Sequence, residues 1–129
     1  MARDQRRRLL RRGSVPLVLH GLLEYGVGVL LIASSSLFSL DSLPRAVGIL
    51  LGAAVLVISA VTDMPTALIR RLPLGTHILI DYAMGVLLIA APFIFGFSDD
   101  AKALAVFLVI GIAYLTLTAI TRFGPKDSD

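Results

Sequence analysis

HGLLEYGVGVLLIA, residues 20–33, returns at residues 77–90 as HILIDYAMGVLLIA. Apolar runs resemble one another by chance, but ionisable residues in matching places do not. Here His20 matches His77, Glu24 matches Asp81, Tyr25 matches Tyr82 and Gly28 matches Gly85. Extended back to Pro16 and Pro73, eleven of eighteen positions are identical. The segments downstream align as well, with GAAVLVISAVT from Gly52 facing GIAYLTLTAIT from Gly111. The chain is an internal duplication, and each unit holds two apolar stretches joined by a short loop.

At 129 residues the chain is long enough for one domain, and 57% of it is hydrophobic, above the ~45–50% usual for soluble chains. The excess sits in four stretches, roughly residues 15–38, 44–61, 74–97 and 103–121. Each is close to the ~20 residues a helix needs to cross a ~30 Å hydrocarbon core. A transmembrane barrel would show alternating segments of about ten residues instead, and none is present. The expected fold is an all-α integral membrane protein of four transmembrane helices, arranged as two tandem, parallel two-helix repeats. A two-span unit returns the chain to its starting side, so both copies point the same way, with a pseudo-twofold axis along the membrane normal. The expected divisions are a basic cytoplasmic segment at 1–14, repeat 1 at 15–63, a cytoplasmic linker at 64–72, repeat 2 at 73–123 and a cytoplasmic tail at 124–129. The basic start followed by an apolar run resembles a signal peptide. That run is too long, however, and it recurs in mid-chain, where no signal peptidase acts.

Twelve basic residues fall unevenly about these spans. Six arginines precede the first span, Arg70 and Arg71 precede the third, and Arg122 and Lys126 follow the fourth. Only Arg45 and Lys102 fall on the other side. The positive-inside rule therefore places both termini in the cytoplasm of a multi-pass cell-membrane protein. A net charge of +3 could suggest nucleic acid, but the juxtamembrane arginines fit anionic lipid head groups better. The expected partners are the lipid bilayer and, as alternatives left open, a second copy or another membrane protein. There is no cysteine, which excludes disulfides, thiolate metal sites and cysteine nucleophiles.

Gly48 and Gly52 form a GxxxG pair, and Gly111 stands at the matching place in the fourth span. Small residues let helices approach closely in lipid, either within one bundle or between two copies. Ser59 and Thr118 also match, and each can bond its own backbone carbonyl. Pro92 removes a backbone donor, frees the carbonyl of Leu88 and is expected to kink its helix.

The second copy continues as LLIAAPFIFGF and the first as LLIASSSLFSL. Two-helix membrane repeats with a short motif late in the first helix resemble the SPW-repeat family, whose motif is Ser-Pro-Trp. Ala91-Pro92-Phe93 and Ser34-Ser35-Ser36 stand at the motif positions, and the chain has no tryptophan. The resemblance covers nearly everything after Pro16. It implies a bacterial integral membrane protein and brings no established activity.

Chemistry is confined to His20, Glu24, His77 and Asp81. At 100° per residue, His20, Glu24, Gly28, Leu31 and Ser35 fall within an arc of about 80°. His77, Asp81, Gly85, Leu88 and Pro92 share the equivalent arc. An unpaired carboxylate at this depth costs at least ~2.5–3.5 kcal/mol, so these faces are expected to turn inward. Two arrangements fit. Each histidine neutralises its own acid and locks packing, or the copies meet in a shared site able to bind a divalent metal or carry protons. Tyr25 and Tyr82 lie about 100° away and fit interfacial anchoring. HExxH, P-loop and GxSxG motifs are missing. A non-enzymatic structural or accessory role without cofactor is therefore expected, with a proton- or metal-ion-coupled transporter as the alternative and an intramembrane metalloenzyme on the same four residues left open.

Overall fold

A computed structural model describes Arg3 and residues 13–124. Most of the N-terminal arginine cluster and Lys126 lie outside the described residues. Residues 13–124 form four helices, α1 (Leu17–Leu37), α2 (Ser42–Val61), α3 (Leu74–Ile94) and α4 (Ala101–Ile120), with no β-strand among the described residues. All four are long and apolar enough to cross a membrane.

The helix ends follow from local chemistry. Pro16 and Pro73 stand just before α1 and α3 at φ −62° and −59°, where a missing N–H loses no helical bond. Their carbonyls accept from the amides of His20 and His77 at 3.0 and 3.1 Å, which fixes both histidines in the first turn. α2 begins two residues before the apolar run, since Pro44 in a first turn also has no bond to lose. At the far end, Phe97 N–H donates to the Pro92 carbonyl at 2.8 Å, and Leu40 N–H to the Ser35 carbonyl at 3.0 Å. Both bonds close Schellman motifs, with Gly96 at φ +78° and Ser39 at φ +52° in the left-handed position. Leu40 and Phe97 are buried beneath these turns. Pro92 lies in the last turn of α3, so only two further helical residues follow it. The proline expected to kink the helix thus stands where the helix ends.

Packing is closest within each hairpin, α1 with α2 and α3 with α4, and much sparser between α1 and α4 or α2 and α3. Glycines set the close approaches. A Cβ on Gly52 would come 2.8 Å from the Gly28 carbonyl oxygen and 2.8 Å from Ile32, and one on Gly111 would come 2.8 Å from Ile89. These glycines therefore serve helix contacts inside the bundle. Gly48 is roomier, with Leu31 O at 3.5 Å.

Between the hairpins the chain is joined where each exits and enters. Val15 N–H donates to Ile120 O, and Arg122 N–H to Val15 O; correspondingly, Leu72 N–H donates to Val61 O, and Asp63 N–H to Leu72 O. Leu31, Leu88, Ala91, Phe97 and Phe107 belong to the apolar core. An apolar cleft of about 400 Å³ lies between α1 and α4, lined by residues including Leu30, Phe38, Val106 and Val109. Val29, Leu50, Val57, Val86 and Ile112 are each more than half exposed. A helix bundle with apolar side chains on its outer faces has lipid as its solvent.

Gly52→Val and Gly111→Val should each lower the stability of the detergent-solubilised bundle by about 1–3 kcal/mol through overpacking. Gly48→Ala should be tolerated. Thermal unfolding followed by circular dichroism checks this, and equal melting of Gly52→Val and Gly48→Ala would overturn the packing assignment.

Candidate functional site

His20 and Glu24 on α1 and His77 and Asp81 on α3 converge between the helices, toward the end of the bundle where α1 and α3 begin, and none of the four is exposed. One ligand atom from each lies within 4.8 Å of the others. The local pairs expected from spacing are present, His20 Nε2 to Glu24 Oε2 at 3.4 Å and His77 Nε2 to Asp81 Oδ2 at 3.0 Å. The pairs across the bundle are of the same kind. His77 Nε2 lies 2.9 Å from Glu24 Oε2, and His20 Nε2 lies 3.2 Å from Asp81 Oδ2. Each histidine thus reaches both acids, so the four residues form one cluster and not two separate pairs. The imidazole rings stand edge-on, 6.1 Å apart.

The far nitrogens identify the tautomers. Thr121 donates its hydroxyl hydrogen to the Leu117 carbonyl at 2.5 Å, leaving its oxygen to accept from His20 Nδ1 at 2.7 Å. Thr62 likewise donates to the Ile58 carbonyl at 2.6 Å and accepts from His77 Nδ1 at 2.7 Å. A hydroxyl has one hydrogen, so the hydrogen-bond network assigns a proton to Nδ1 of both rings. Each Nε2 then points at the carboxylates. Thr62 ends α2 and Thr121 ends α4, so each histidine is oriented by the opposite hairpin.

Tyr114 on α4 completes the cluster. Its hydroxyl lies 2.7 Å from Glu24 Oε1 and 2.7 Å from Asp81 Oδ1. One phenolic hydrogen serves one carboxyl at a time, so the two acids share this donor. Ser59 donates to Glu24 Oε2 at 3.2 Å. Ser59, able to bond its own backbone carbonyl, thus reaches an acid, whereas Thr118 at the matching place donates to its own helix at Tyr114 O, 3.0 Å away. Phe123 packs edge-on against His20 at 5.0 Å.

Tyr25 lies outside the cluster and donates to the Thr66 carbonyl of the linker at 2.9 Å; Tyr82 is partly exposed. Gly52 and Gly111 set close helix contacts, Gly48 leaves room for a Cβ, and Pro92 lies in the last turn of α3. Sequence reasoning missed Tyr114, Thr62 and Thr121. The threonines carried a signal, since both stand at the end of the repeated segment. Tyr114 carried one too, as the polar residue standing opposite Val55 in otherwise similar copies.

Chemically the cluster supplies two imidazole nitrogens, two carboxylates and a phenol, all removed from water. Such a set can hold protons or a cation.

The SPW repeat domain family matches this chain over residues 18–121. No curated protein and no solved structure is similar enough to the chain to count as a match. The matched span runs from the first turn of α1 to the residue after α4 and includes every member of the cluster. With four apolar helices arranged around it, the chain is a multi-pass membrane protein and belongs to the SPW repeat domain family.

Proposed function

We propose that the protein is a non-enzymatic structural component of the membrane, in which the histidine–carboxylate cluster clasps two two-helix repeats into one bundle. The observation that carries this reading is the pairing of every polar group in the cluster, at near-zero exposure, across a junction with little other contact. A hydrated path to the acids would instead suit an ion-coupled transporter, and full burial with complete pairing favours the clasp. In hydrocarbon an ionisable group left single is costly. Parting the hairpins would strand four such groups at once, so the clasp holds them together more firmly than the sparse apolar contact does.

On this reading the two repeats, 15–63 and 73–123, are related by a pseudo-twofold axis along the membrane normal. It is supported by the paired Schellman turns and by the exchange of threonine partners between hairpins. Both termini and the linker face the cytoplasm, with the N-terminal arginines on anionic head groups, supported by the placement of ten of the twelve basic residues.

Removing a clasp member should cost stability in proportion to what it strands. Tyr114→Phe deprives two buried carboxyl oxygens of their donor and should cost about 1–3 kcal/mol. His77→Leu leaves a buried charge uncompensated and should cost about 3–5 kcal/mol. Thr116→Val, at an exposed hydroxyl that bonds only its own helix, is the control and should melt like the parent. Thermal melts in detergent rank the three. Tyr114→Phe and His77→Leu melting with the control would remove the clasp. Orientation is tested separately by reporter fusions after Asp41 and Asp99, both expected to report an external location; cytoplasmic signals at both would invert the layout.

A further inference from the structure

We propose that His20, Glu24, His77 and Asp81 bind one divalent transition-metal cation of the zinc class, with Thr62 and Thr121 orienting the two imidazoles. The inference goes beyond the clasp and does not depend on it.

Three observations carry it. The first is the tautomer. Because both Nδ1 atoms donate to threonine oxygens, neutral rings present their Nε2 lone pairs inward. Metal-ligating histidines almost always donate their other ring N–H to a fixed acceptor, and here both do. Each acceptor is itself held, by a hydroxyl bond to the Leu117 or Ile58 carbonyl. This is a supporting shell of four groups on two helix ends.

The second is distance. Bonds of about 2.0–2.1 Å to a tetrahedral ion put neighbouring ligand atoms about 3.3 Å apart. The four nitrogen-to-oxygen separations between histidines and acids are 3.4, 3.2, 2.9 and 3.0 Å. These four edges lie within a few tenths of an ångström of that value, and all four ligand atoms lie within 4.8 Å of one another.

The third is charge. Two neutral imidazoles and two carboxylates sum to −2, which one divalent cation cancels. Two protons cancel it equally, so the metal-bound and the protonated clusters carry the same net charge. In hydrocarbon that equality decides which ions are tolerated, because an uncompensated charge is costly there. The donor set also selects among ions. Calcium and magnesium take six or more oxygen ligands, whereas two imidazoles with two carboxylates suit zinc and its neighbours. Full burial leaves no open position for water, as in closed, structural zinc sites.

The composition makes the test clean. The chain has two histidines and no cysteine, so imidazole seen on a metal bound to tag-free protein comes from this cluster. Full-length, tag-free protein in detergent is stripped with chelator and titrated with zinc, with magnesium as the comparison. One zinc per chain is expected, with two imidazoles in its X-ray absorption spectrum, a raised melting temperature and no response to magnesium. Thr62→Val and Thr121→Val should each weaken zinc binding about 10–100-fold, while Thr62→Ser retains it. Three outcomes would overturn the site: no zinc bound by the folded parent, a bound zinc without imidazole, or affinity unchanged in both valine variants. None of these touches the clasp, whose test is the stability of metal-free Tyr114→Phe.

Discussion

Two carboxyl groups lie in the interior of a bundle whose outer surface is hydrocarbon, and the rest of the structure answers that constraint. Lipid offers no hydrogen bonds, so Glu24 and Asp81 must find their partners inside the protein. Each acid draws partners from both hairpins: Asp81 takes Tyr114 and His77 from its own and His20 from the other. Glu24 takes Ser59 from its own hairpin, but His77 and Tyr114 come from the other. The threonines that orient the histidines cross over in the same way. Glu24 and both histidines therefore have partners in the opposite hairpin, across a junction with sparse apolar contact.

The division of labour along the bundle follows. Within a hairpin, glycines bring backbones together and dispersion does the holding, as at Gly52 against Gly28 and Ile32. Between hairpins, approach is limited, an apolar cleft remains, and polar side chains span the junction. Apolar contact between helices has little advantage over contact with lipid tails. A polar contact does have one, because its alternative is a bare polar group in hydrocarbon. Tandem units that must stay together in a membrane are therefore better joined by a polar junction than by a greasy one.

Much of this was legible in the sequence, and the limits have physical causes. The four spans could be read because hydrophobic length is a one-dimensional property, and observed ends differ from the apolar runs by up to three residues. Those shifts come from capping: Pro44 tolerated in a first turn, and Gly96 ending α3 soon after Pro92. His20, Glu24, His77 and Asp81 could be found because duplication marked them. Their partners could not be, since i,i+4 spacing points to the local acid, and only the distance between α1 and α3 admits the second one. Thr62 and Thr121 stand at the ends of apolar runs and read as the usual polar punctuation of a helix. Ser59 and Thr118 read alike, yet the glutamate is longer than the aspartate by one methylene, and only Ser59 meets an acid.

Tyr114 is the departure from duplication that explains itself. It sits opposite Val55 in the repeat, and both side chains are buried, at 2% exposure each. The phenol lies between Glu24 and Asp81, one acid from each copy, at equal distances. The single hydroxyl therefore serves one acid from each copy. One copy supplies the donor, and the other supplies only apolar bulk, since Val55 has no hydrogen-bonding group. Valine at 114 as well as at 55 would deprive both acids of the phenol. The histidines and acids follow the duplication, and the donor that both acids share stands where the copies differ.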